Sequence, residues 1–135
     1  MTRLKFAIHQ PNYLPAISFF YKMHLVDTFV LLDAVQIPRG QSFANRNRIK
    51  TPNGPIFLTV PLHIPKGQKG LVTYQDAQLA DEKWKRKHLK SIEMNYKKAK
   101  HFDYAFPIVE AAIDKHQSFL YISTAFIESV RQHLN

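Results

Sequence analysis

The sequence predicts an α/β protein: a βαβ start with a mixed sheet, a β-hairpin elaboration and a helical C-terminal third. Three observations predict it. A strand-like, an amphipathic and a second strand-like segment follow one another at the N-terminus within about 30 residues, the span of one βαβ unit. A Pro-Asn-Gly turn separates two alternating segments in the middle of the chain. Helical periodicity takes over from residue 81 onward. The 135 residues read as one domain, with 1–80 as the α/β portion and 81–135 as the helical portion. A chain of this length buries a core without disulfide or metal staples.

The first strand is Arg3 to His9 (RLKFAIH), which alternates and then turns apolar, a pattern that suits a central strand. The PNYLP that follows is a loop, because Pro11 and Pro15 lack backbone donors. Pro15 is well placed for the first turn of a helix. From Ala16 to Val26, the residues Ile17, Phe20, Tyr21, Met23, His24 and Val26 recur at roughly helical spacing. Thr28 to Leu32 (TFVLL) is rich in strand formers and reads as a buried parallel strand. Its crossover should be right-handed.

Gln41 to Lys50 alternates, Pro52-Asn53-Gly54 turns, and Ile56 to Leu62 alternates again. Period-two geometry then sets Phe43, Asn45, Asn47 and Ile49 on one face and Arg46, Arg48 and Lys50 on the other. His63 to Gly70 is a basic, glycine-containing loop, and Leu71 to Leu79 reads as a further strand. Asp81 should cap a helix to about Ala99, with Trp84, His88, Ile92 and Tyr96 four apart on one face. A second helix should begin near Pro107 and bury Ile108, Val109, Ala112 and Ile113. A third should run from Ser118 to the end. This last helix is apolar around most of its circumference, so it should pack on more than one side. Either it folds back onto the Trp84–Tyr96 helix or it lies in a subunit contact, most simply a two-fold homodimer through 118–134.

Composition narrows the function. Hydrophobic residues are 45% and charged residues 21%, ordinary for a globular chain and wrong for a disordered one. The absence of cysteine excludes disulfides and thiolate metal sites. No signal-peptide pattern is present, nor a run near the roughly 18 apolar residues of a spanning helix, so the expected location is cytoplasmic. The formal net charge of +9 favours phosphorylated ligands, nucleic acid or anionic surfaces. The four glycines, at 40, 54, 67 and 70, make neither a dinucleotide fingerprint nor a phosphate-binding loop. The seven histidines contain no His-x-x-x-His pair. No cofactor and no metal ligand set is predicted, and a divalent metal is left open.

Three segments could carry chemistry. In IHQPNYLP, the end of a parallel strand meets the start of a helix, where open α/β sheets bind ligands and where free N–H groups favour phosphate. There His9 could act as acid or base, while Gln10, Asn12 and Tyr13 contact or orient a substrate. The competing reading is a βα turn shaped by prolines, with His9 a core residue. In ANRNRIKTPNG, Arg46, Arg48 and Lys50 could clamp a diphosphate, with Asn45 and Asn47 reading a hydroxyl. The competing reading is a charged, solvated edge strand. The third segment is the lysine-rich 83–100 helix, best read as a solvated face. Specific nucleic-acid binding is not expected of it, since no recognition motif accompanies it.

Taken in order, IHQPNYLP, FFYK at 19–22, DTFVLLDAVQ at 27–36 and NRNRIKTPNGPIFLTVP at 45–61 resemble the WbqC-like protein family. Trp84, Tyr96 and KKAKHFD at 97–103 are similar too. The resemblance implies a role in bacterial O-antigen or related cell-surface polysaccharide biosynthesis, and the leading reading of the chemistry is transfer on a nucleotide-activated sugar or similar activated metabolite. It implies a shared site region of His9, Gln10, Pro11, Tyr13, Pro15, Lys22, Asp27, Asp33, Asn45, Arg46, Asn47 and Lys50. His9 would be the acid/base and Asp33 would orient it or a metal. Two positions depart from the family's pattern: Ala16 stands where Trp is frequent, and Asp33-Ala34 replaces an acidic pair. The resemblance also implies a second α/β portion that is not in this sequence. The alternatives are a non-catalytic basic module binding nucleic acid through the 83–100 helix, and an assembly subunit docking a partner on its last helix.

Overall fold

Two short parallel strands and the helix between them open the chain. β1 (Phe6–His9), α1 (Ile17–His24) and β2 (Thr28–Leu31) form the expected βαβ unit, with Phe6 beside Thr28 and His9 beside Leu31. The structure, a computed structural model, describes residues 3–38, 40, 42–63 and 72–134. Alternation sorts the side chains of this sheet. Phe29 and Leu31 pack with Phe19 and Phe20 of α1, and Ala7 is buried. Phe6, Ile8 and Val30 face the other way and are exposed. Among the described residues β1 has one strand partner, not the two expected of a central strand.

The hairpin forms as the turn residues demand. β3 (Arg46–Ile49) and β4 (Ile56–Thr59) run antiparallel, with Arg46 opposite Thr59 and Arg48 opposite Phe57. Thr51 and Gly54 exchange backbone hydrogen bonds across the turn. Gly54 has φ 103°, where any side chain would be strained. The ladder starts only at Arg46, so alternation does not reach back to Phe43. That ring lies with Phe57 and Arg48, on the face opposite to the one expected.

β5 (Leu62–His63) pairs antiparallel with β6 (Gln78–Leu79). The expected strand over Leu71 to Leu79 is thus reduced to its last two residues. Thr73 makes one bridge to Gln36, and residues 74–76 turn. The Thr73 hydroxyl donates to the Asp76 carboxylate and accepts from the Asp76 N–H, a local arrangement that replaces a ladder. Leu71, the 64–70 part of the basic loop, Gln41 and Asn135 lie outside the described residues.

The helical third holds α2 (Lys83–Tyr96), α3 (Phe102–Asp114) and α4 (Phe119–Leu134). The N-cap position of α2 is Glu82, and Asp81 just before it accepts the Lys83 N–H at 2.7 Å. The second helix begins at Phe102, not near Pro107, because the His101 carbonyl already accepts from Ala105. Pro107 is tolerated inside because it and Asp103, whose carbonyl it leaves without a donor, are both exposed. No helix among the described residues is long and apolar enough to cross a membrane.

Two clusters account for the apolar circumference of α4 within one chain. Phe119 and Ile122 join Tyr13, Val60, Tyr74, Trp84 and Ile113 in the main core. One turn on, Ile127, Phe126 and Val130 pack against Phe19 and Phe20, with Phe20 and Phe126 6.2 Å apart between ring centres. The helix therefore lies between α3 and α1, and its bulk does not fold back along α2 as one expectation had it.

Candidate functional site

The Asn12–Leu14 loop is held by segments far apart in sequence. The Tyr13 N–H donates to the Ala44 carbonyl at 2.8 Å. Asn47 Nδ2 donates to the Leu14 carbonyl at 2.6 Å. The Tyr74 hydroxyl donates to Asn12 Oδ1 at 2.9 Å. The Tyr13 hydroxyl meets His88 Nδ1 at 2.9 Å inside the core. These bonds hold Leu14 at φ 41°, a left-handed conformation that costs an L-residue about 1–2 kcal/mol. Strain that the surroundings over-determine is characteristic of functional loops.

Beside this loop lies a cleft of about 640 Å³ lined by His9, Asn12, Pro15, Ala16, Ser18, Phe19, Lys22, Phe43, Asn47 and Arg48. It sits at the C-terminal end of β1 and the N-terminal end of α1. No side chain caps the first turn of α1; the Phe19 N–H is given to the Ala16 carbonyl, which leaves those of Ile17 and Ser18 for a ligand. Six of the sequence-predicted residues, His9, Asn12, Pro15, Lys22, Asn47 and Arg48, thus share one cleft. His9 Nδ1 is 2.9 Å from the Gln10 carbonyl, which can only accept, so Nδ1 donates there and the neutral form of the ring presents Nε2 as its acceptor. The ring is braced edge-on against Phe19 at 5.0 Å. Lys22 Nζ donates to the Ile8 carbonyl at 3.0 Å at the end of the same strand.

The other expected residues lie elsewhere. Tyr13 is wholly buried, and burial pushes its hydroxyl far above the ordinary tyrosine range. Its part is to hold the loop. Tyr74 is buried too, and its hydroxyl is pushed up to about 12 by burial. Arg46 donates through Nε to the Ser42 carbonyl and, with Asn45, borders a separate hollow. The two-guanidinium clamp therefore reduces to Arg48 in the cleft. Asn45 is spent on the Val60 carbonyl. Lys50 contributes a backbone N–H to the Tyr96 hydroxyl. Gln10 is half-buried, with its carbonyl shared by His9 and the Asn12 N–H. Asp33 accepts from Gln75 Nε2 at 3.0 Å and does not border the cleft, so no His9–Asp33 pair forms. Asp27 accepts the Lys5 N–H and ties the start of β1 to β2. Among the described residues no group of three or more potential metal ligands converges.

Sequence reasoning missed two residues. Phe43 borders the cleft, a placement hidden because it precedes the ladder. His88 supports the loop from α2, and burial lowers its pKa to about 4, with a hydrogen bond to the Thr59 backbone opposing. Its only signal was a histidine on the apolar face of a helix.

An α/β chain with a basic cleft at a strand–helix junction, closed by a hairpin and backed by three helices, is the class the geometry defines. The chain belongs to the WbqC-like protein family, whose profile matches residues 10–135. It is 38% identical over 101 residues to the "Uncharacterized protein Rv1507c" of Mycobacterium tuberculosis, a match covering 73% of this chain and 41% of that protein. The chain therefore spans well under half the length of this relative. No solved structure matches it significantly.

Proposed function

We propose that the cleft binds the diphosphate of a nucleotide-activated sugar, or a similar phosphorylated metabolite, for transfer during synthesis of a bacterial cell-surface polysaccharide such as O-antigen. The observation that carries this reading is the convergence of His9, Lys22 and Arg48 on one cleft where β1 ends and α1 begins. Cations and open helix N–H groups suit an anion there. His9 Nε2 would take the proton of an attacking hydroxyl as its oxygen bonds to the sugar carbon. The nucleoside diphosphate would leave against Arg48 and Lys22. Nucleotide sugars are cytoplasmic metabolites, which sets the expected location. Asp33, held by Gln75, has no part in this reading.

Titration calorimetry with inorganic pyrophosphate and a panel of nucleotide sugars tests it. A hydrogen bond to a charged group is worth about 1.5–3 kcal/mol. Arg48→Ala is therefore expected to weaken binding by roughly tenfold or more. Arg46→Ala, in the separate hollow, is expected to stay within about twofold. Equal losses at the two arginines, or no binding of any phosphorylated ligand, would sink the proposal.

A further inference from the structure

The hairpin face that carries Arg48 is also aromatic. Phe57 stands opposite Arg48 in the ladder, and Phe43 comes within 5.9 Å of it between ring centres. Phe43 and Phe57 stay 42% and 45% exposed. The Arg48 guanidinium lies 5.7 Å from the Phe43 centre and 5.9 Å from the Phe57 centre, while Arg46 covers Phe57 at 4.3 Å. Among the described residues the ion pairs are Lys85–Glu82 and Arg131–Glu128, so neither of these guanidiniums has a carboxylate partner. Rings left in water forgo the gain of burial, and cations left without acids keep their attraction for an anion.

Resting on the function proposed above, we infer that Phe43 is the platform for the base of the bound nucleotide, which stacks on this ring while its diphosphate crosses Arg48 toward Lys22 and His9. Phe43 and Phe19 both line the cleft, but Phe19 is buried and Phe43 is open. Arg48 borders both the ring and the cleft, so it joins the aromatic and anionic halves of one ligand. Stacking is tolerant of base identity because every base presents a π face. The platform therefore specifies a nucleotide without specifying which. A cross-strand contact that merely steadies the hairpin would be served by covered rings. Single-stranded nucleic acid would need successive platforms along one groove, and the second ring, Phe57, does not line the cleft.

Wild type, Phe43→Leu, Phe43→Trp and Arg48→Ala are titrated with inorganic pyrophosphate, a set of nucleoside diphosphates and a short single-stranded DNA. Base stacking on an aromatic side chain is expected to make the nucleoside diphosphates bind about tenfold tighter than pyrophosphate. Phe43→Leu should erase that advantage and leave pyrophosphate within about twofold, while Phe43→Trp should restore it with quenching of the new indole. Nucleoside diphosphates no tighter than pyrophosphate, or a Phe43→Leu loss equal for both, overturns the inference while leaving the cleft reading intact. Pyrophosphate binding indifferent to Arg48 overturns the cleft reading itself. DNA bound more tightly than any nucleoside diphosphate, with steep salt dependence, overturns the inference in favour of a nucleic-acid surface.

Discussion

Tyr13→Ala is expected to lower the stability of the fold by about 3–5 kcal/mol, the range for truncating a buried aromatic side chain. Tyr13 has no exposed surface, packs edge-on against Trp84 at 5.9 Å and meets His88 through its hydroxyl. Tyr13→Phe separates the two contributions. It keeps the ring but leaves His88 Nδ1 without its hydrogen-bond partner, a loss of about 1–3 kcal/mol for an unsatisfied buried group. Urea denaturation followed by the fluorescence of Trp84, the chain's single tryptophan, reads both. A Tyr13→Ala protein within about 1 kcal/mol of wild type would show that the site tolerates collapse and that the loop is not held from the core.

Acid should destabilise the protein through His88. Burial holds this ring low, at about 4, against an ordinary value of 6.5. Above pH 6.5 it is neutral in both the folded and the unfolded chain and contributes no pH dependence. As pH falls through 6.5 the unfolded chain takes up a proton that the folded chain refuses until about pH 4. Stability attributable to His88 is therefore lost between those values and levels off below them. Each pKa unit corresponds to 1.36 kcal/mol, so the full shift would be worth about 3.4 kcal/mol, which partial access of solvent to the ring reduces to about 2–3 kcal/mol. The chain has seven histidines, so the measurement is a difference between wild type and His88→Gln, both unfolded by urea at several pH values. The variant's curve should be flatter by that amount. Parallel curves would show that His88 protonates freely in the folded protein.

Local signals made much of this fold legible. The strand–proline loop–helix–strand order, the Asn53-Gly54 turn and the four-residue spacing of Trp84, His88, Ile92 and Tyr96 each depend on neighbours close in the chain. Extending a local rule misleads. Alternation carried back to Phe43 misplaces its ring, since the ladder begins at Arg46 and the ring turns to the other face. Strand character does not run from Leu71 to Leu79, because Thr73 and Asp76 bond to each other and make a turn. Pro107 reads as a start signal, but an exposed proline can sit within a helix that opened earlier. The site was half legible for a related reason. His9, Asn12, Lys22, Asn47 and Arg48 meet in one cleft. Tyr13, Arg46, Asn45 and Asp33 are polar in sequence but are committed to His88, Ser42, Val60 and Gln75, partners that no spacing rule reveals.

The tethers of the Asn12–Leu14 loop also set when it can assemble. Its partners Asn47, Tyr74 and His88 lie 33, 62 and 75 positions away along the chain. Closing such long segments is slow, because their entropy is lost before the contacts reward it. The hairpin and the helices can form early from local contacts, but the cleft cannot exist until α2 has docked and Tyr13 has met His88. In stopped-flow refolding, ligand binding should therefore recover no earlier than the burial of Trp84, making the competence to bind one of the last properties the folding chain acquires.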